Sequence, residues 1–144
     1  MGMFSKLFGG GKEYPPLDSS TPGIERLEKF RSRLEPFVSK VSDNLEVVPA
    51  DSAAYLFIGK PPGMFGIAWF PADDDREHNF KTLMKDKGLS QRRIQMLSDK
   101  LREAYVRSEE AQRYSAMISN RKVLVTLSEA LAEDVHRIIQ EVAG

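Results

Sequence analysis

Apolar residues recur at three- and four-residue steps from Ile24 through Leu27, Phe30, Leu34, Phe37, Val38 and Val41 to Leu45. That spacing lays them along one stripe of an amphipathic helix. Thr21-Pro22 marks its start, with Thr as N-cap and Pro at the first helical position. Pro36 falls inside the stripe, where its ring and missing N–H predict a kink or break near Leu34–Glu35. Leu45–Pro49 reads as a short strand. Ala53–Gly59 and Met64–Phe70 are two aromatic, β-branched runs joined by Lys60-Pro61-Pro62-Gly63, which predicts a hairpin with a four-residue loop. A loop from Asp73 leads into a helix of about Glu77–Lys87, ended by Gly88. Ser90 caps a long helix from Gln91 to around Ser119. Asn120 and Arg121 then turn the chain into a strand at Lys122–Leu127. Ser128 caps a final helix striped by Leu131, Val135, Ile138, Ile139 and Val142. The order α-β-β-β-α-α-β-α predicts an α+β fold, a small, mostly antiparallel sheet (a meander plus one later strand) packed by helices. A right-handed crossover would instead set the later strand parallel to a meander strand.

The hairpin is apolar on both sides. With Gly59 opposite Met64, Leu56 faces Ile67, Ile58 faces Phe65 and Ala54 faces Trp69, which makes Leu56, Ile58, Phe65, Ile67 and Trp69 a core face. The other side carries Tyr55, Phe57, Met64, Gly66, Ala68 and Phe70, where a half-wet sheet would be polar. Phe57 over Gly66 and Tyr55 over Ala68 pair large with small and leave a shallow groove. Either helices cover that side, or those six residues form a surface for a partner. A one-residue slip would exchange the cross-strand partners.

Charge and composition narrow the function classes. The chain has 144 residues, 41% hydrophobic and 29% charged, so it can bury a core of its own. With no cysteine there is no disulfide, thiol nucleophile or thiolate metal site. Its 21 basic and 21 acidic residues give no overall pull toward nucleic acid or anionic lipid. Residues 1–21 read as a flexible tail and linker, and residues 22–144 as a single domain. Within the tail, Met1–Phe8 is a short amphipathic peptide with Phe4, Leu7 and Phe8 at helical spacing, suited to weak peripheral membrane contact. Lys6 interrupts it too early for a secretory h-region, and no run reaches the roughly 20 apolar residues of a membrane span. A cytoplasmic chain, monomeric or a weak homodimer, is expected.

Candidate chemistry is sparse. Asp73-Asp74-Asp75-Arg76-Glu77-His78 is the one cluster suited to a cation, with Asp73, Asp75 and His78 as the ligands it could offer. An EF-hand starting at Asp73 fails, because His78 and Met84 stand where Gly and Glu are needed. Asp73–Asp75 can also simply favour the N-terminus of the following helix. From Lys81 to Arg107 there are eight basic and three acidic residues, and Arg93, Lys100 and Arg107 lie seven apart on one helix stripe. Around Lys87-Gly88-Leu89-Ser90-Gln91 the chain resembles the first turn of repressor-type helix-turn-helix domains, which implies contact of that stripe with phosphate. The element order is broadly similar to that of bacterial secretion chaperones, which implies protein binding. No nucleophile elbow, zincin pair or dinucleotide fingerprint is present. The leading expectation is a non-catalytic protein-interaction or adaptor module without a cofactor. The alternatives are a nucleic-acid-binding protein using Arg93, Lys100 and Arg107, and a metal-assisted enzyme using Asp73–His78.

Overall fold

The computed structural model describes residues 14–144. The amphipathic peptide expected at residues 1–8 lies outside the described residues. The first helix, α1, spans Ile24–Lys40 and buries Leu27, Phe30, Leu34, Phe37 and Val38, the stripe its spacing predicts. It starts two residues later than expected. Gly23 precedes it in the left-handed conformation (φ 91°), and the Ile24 N–H donates to the Thr21 carbonyl (3.1 Å). Thr21-Pro22 is thus the turn leading in, not the cap. The helix also runs unbroken through Pro36, because buried residues on both sides of the ring hold it against the sheet. At its far end the Arg121 guanidinium donates to the carbonyls of Val38 (3.0 Å), Val41 and Asp43 (2.7 Å), satisfying groups a helix terminus leaves open.

Six strands follow in the described chain: β1 (Leu45–Pro49), β2 (Ala53–Gly59), β3 (Phe65–Pro71), β4 (His78–Asn79), β5 (Arg113–Ile118) and β6 (Arg121–Thr126). The helices α2 (Phe80–Lys87) and α3 (Gln91–Arg107) lie between β4 and β5, and α4 (Glu129–Ala143) closes the chain. The fold is α+β, with one sheet ordered β4-β3-β2-β1-β6-β5. All neighbours are antiparallel except β1 and β6, which run parallel, so the crossover arrangement is the one adopted. The expected caps recur: Gly88 ends α2 in the left-handed conformation (φ 67°), and the Ser90 and Ser128 hydroxyls accept from the Arg93 and Leu131 amides. No described helix is long and apolar enough to cross a membrane.

Helices cover both faces of the sheet. On one face α1 packs on Val47, Ala54, Leu56, Ala68, Phe70, Val123 and Val125. On the other, α2, α3 and α4 pack on Val48, Tyr55, Phe57, Ile67 and Trp69. The hairpin register therefore differs from the expected one by one residue. Gly59 pairs with Phe65, Phe57 with Ile67, Leu56 with Ala68 and Tyr55 with Trp69, and the loop has five residues, 60–64. Gly59 sits at φ 115° with the Met64 carbonyl only 2.9 Å from where a Cβ would stand, a turn that other residues would strain. The six residues expected to share one face are split. Tyr55 and Phe57 face α2–α4, while Ala68 and Phe70 face α1, and these four are buried. Gly66 is partly covered, and Met64 projects from the hairpin tip, 92% exposed.

The helix after Ser90 ends at Arg107, well short of Ser119. At Ser108 the amide and the hydroxyl both donate to the Tyr105 carbonyl (3.0 and 2.6 Å), and a turn leads into β5. What pulls the chain out of the helix is a buried polar cluster. Glu46 on β1 accepts from Tyr105 Oη (2.7 Å), from Arg113 Nε (2.8 Å) and from the Thr126 hydroxyl. Arg113 donates further to the Ser108 carbonyl and hydroxyl (2.9 Å each) and lies over the Tyr105 ring. Every member of the cluster has a partner, as a buried charge requires. Ser119 and Asn120, both at positive φ, then make the tight turn into β6. Beside β5 lie residues 15–17: the Leu17 amide donates to the Ser115 carbonyl (2.8 Å) and the Ser115 amide to the Pro15 carbonyl (2.9 Å). The chain is therefore hydrogen-bonded to the sheet edge within the stretch expected to be a flexible tail.

Candidate functional site

The β1–β2 turn and the outward side of α4 enclose a cleft. Three hydrogen bonds fix the turn. The Ala50 amide donates to the Ala53 carbonyl (2.8 Å), the Ala72 amide to the Ser52 carbonyl (2.8 Å) and Lys29 Nζ to the Asp51 carbonyl (2.7 Å). On the facing helix, His136 follows Ala132 by four residues and so looks toward the turn. The cleft has two lobes, of about 350 and 400 Å³, and Ser52, Tyr55 and His136 line both. Its floor is apolar, with Pro49 and Ala132 in one lobe and Trp69 and Ile139 in the other.

A Tyr–His pair sits where the lobes join. Tyr55 Oη lies 3.2 Å from His136 Nδ1. Burial raises the Tyr55 hydroxyl to about 12, so it keeps its proton across the physiological range. Nδ1 is its one hydrogen-bond partner among the described residues, and which of the two donates follows the imidazole tautomer.

Charge lines the rim. Arg26 is paired with Asp51 (3.4 Å) and Glu129. Glu133 and Asp73, one in each lobe, have no cationic partner among the described residues. Four carboxylates thus face one guanidinium along this rim.

The other residues picked from sequence stand elsewhere. His78 Nε2 donates to Asp74 Oδ2 (2.9 Å) and stacks on Trp69 (5.5 Å between centroids), while Asp74 Oδ1 accepts from the Arg76 amide (2.8 Å). That amide and the His78 bond hold the Asp74 carboxyl below its usual range. Asp73 turns to the cleft, Asp75 is exposed, and no three acidic or histidine side chains among the described residues are placed to share a metal ion. Of the basic stripe, Arg93 donates to the Val142 carbonyl at the end of α4 (2.6 Å), and Arg107 pairs with Asp134 (3.3 Å). Lys100 lines a mixed-charge depression between α3 and α4 with Glu103 and Arg137. Both arginines are thus engaged with α4.

Sequence reading missed the Tyr55–His136 pair and the Glu46–Arg113 ion pair. His136 stood in an apolar stripe without a companion, because its partner lies 81 positions away. No protein-family model, curated protein or solved structure matches this chain.

Proposed function

We propose that this chain is a non-catalytic protein-interaction module that docks a partner segment in the cleft between the β1–β2 turn and α4. One observation carries the reading: two lobes over an apolar floor meet where buried Tyr55 holds the exposed His136 ring, against a turn fixed by three hydrogen bonds. Apolar concavities of a few hundred Å³ with a few converging polar groups are where small ligands and single anchoring side chains bind. The chemistry of the pair supports binding over turnover. The Tyr55 hydroxyl holds its proton too firmly to act as a base near neutrality, and it occupies one nitrogen of His136. The hydrogen bond therefore fixes the orientation of the imidazole in the cleft.

Selection of a random peptide library on the full chain tests the reading. Ser52 is exposed and common to both lobes, so Ser52→Trp should fill their junction without entering a core. Peptides enriched on the native chain should lose roughly tenfold or more in affinity for the variant, the order expected when an anchor pocket is blocked. Enriched peptides that bind Ser52→Trp as tightly as the native chain would place docking elsewhere and sink the proposal.

A further inference from the structure

Resting on that docking reading, we infer that the cleft selects an extended segment carrying a lysine or arginine side chain, with Tyr55 Oη donating to His136 Nδ1 and a backbone carbonyl of the segment accepting from Nε2. Two independent features point to this chemistry. The first is charge. Glu133 in one lobe and Asp73 in the other are carboxylates without a cationic partner among the described residues, and the one cation of the cleft, Arg26, is already held by Asp51 and Glu129. An incoming ammonium or guanidinium finds a partner at this rim, whereas an incoming carboxylate meets like charge. The second is hydrogen-bond polarity. The Tyr55 hydroxyl keeps its proton and has Nδ1 as its one partner among the described residues; donating there, it leaves His136 a donor at Nε2, which matches a carbonyl. The apolar floor of Ala132, Trp69 and Ile139 suits the methylene stem that lysine and arginine bury behind their charge. A free polyamine would satisfy the rim but leave the His136 donor without an acceptor, which favours a peptide.

The test titrates the ¹⁵N-labelled full chain at pH 7 with acetylated, amidated alanine pentapeptides whose central residue is lysine, norleucine or glutamate. The lysine peptide should shift the amides of Ser52 and His136 and bind about two- to fivefold tighter than the norleucine peptide, the scale of one exposed charge pair. Glu133→Gln combined with Asp73→Asn should erase that difference, and the glutamate peptide should bind weakest. The imidazole ¹⁵N shifts give a second readout: Nδ1 of His136 should be the unprotonated nitrogen, and Tyr55→Phe should let both tautomers populate. Equal binding of the lysine and norleucine peptides at the same amides would overturn the cationic preference and leave the docking site standing. Absence of shifts around residues 50–52 and 132–140 with all three peptides would overturn both. A protonated Nδ1 in the neutral ring would overturn the assigned carbonyl contact.

Discussion

Glu46 on β1 and Arg113 at the start of β5 are ion-paired and are 4% and 5% exposed. A charge that deep is tolerable only when paired. Arg113→Met alone leaves the Glu46 carboxylate without its cation and should cost about 3–5 kcal/mol. Adding Glu46→Leu removes the stranded charge, so the double variant should lose much less than the sum of the two single changes in urea titration. Additive losses would show that the two side chains do not depend on each other. Buried tyrosines give a second prediction at this scale. Burial raises the hydroxyls of Tyr55, to about 12, and of Tyr105, beside Glu46, higher still. Above pH 10 the unfolded chain begins to ionise its tyrosines while these two stay protonated. The native state then binds more protons than the unfolded one, and stability falls as pH rises from 10 toward 12. Tyr55→Phe should flatten that fall, read as urea midpoints at pH 9 and 11. None of this was legible in the sequence. Glu46 is a single acid in a strand and Arg113 a single base 67 positions later, and periodicity carries no information on such pairs.

The α4 and β6 elements followed from local rules, while α2 kept its Gly88 end but begins at Phe80 instead of Glu77, because His78–Asn79 pairs with β3 as β4 and Asn79 caps the helix. Two elements did not. β5 carries Arg113, Ser115 and Ala116, and no glycine or proline stands between α3 and β5, so nothing local distinguishes strand from helix there. Only the ion pair to β1 does. In the hairpin the period-2 pattern fixes a face only when one side is polar, and β2 and β3 are apolar on both, so register rests on the turn. The candidate six-residue surface dissolved with that register, and the cleft actually formed joins residues from Arg26 to Gln140. The glycines offer a direct check of the observed pairing. Gly59→Ala places a Cβ 2.9 Å from the Met64 carbonyl at a φ that favours glycine, and should cost about 1–3 kcal/mol. Gly66→Ala meets only Ile58 carbons near 3.9 Å in extended backbone, and should change stability by less than about 1 kcal/mol. Thermal melts showing the opposite ranking would rule out this register.

At the scale of the whole molecule, one sheet separates two cores, and neighbouring residues of the same strand feed different ones. Tyr55 enters the core under α2–α4, and Leu56 enters the core under α1. Losing either helical layer exposes one face of the strands that the other layer needs, so the two cores should fail together in a single transition. Leu34 on α1 and Leu97 on α3 are both fully buried, on opposite sides of the sheet. Each Leu→Ala change should cost about 2–5 kcal/mol. Because the sheet stands between them and they share no packing partner, the double variant should lose their sum to within about 0.5 kcal/mol. Trp69 packs in the core under α2–α4, so its fluorescence reports on that side alone, while far-UV circular dichroism reports on the whole backbone. If folding is one cooperative unit, Leu34→Ala must move the Trp69 midpoint in urea as far as the dichroism midpoint, with an unchanged slope. A Trp69 midpoint that stays at its native value while the dichroism curve splits would show that the α1 layer unfolds by itself.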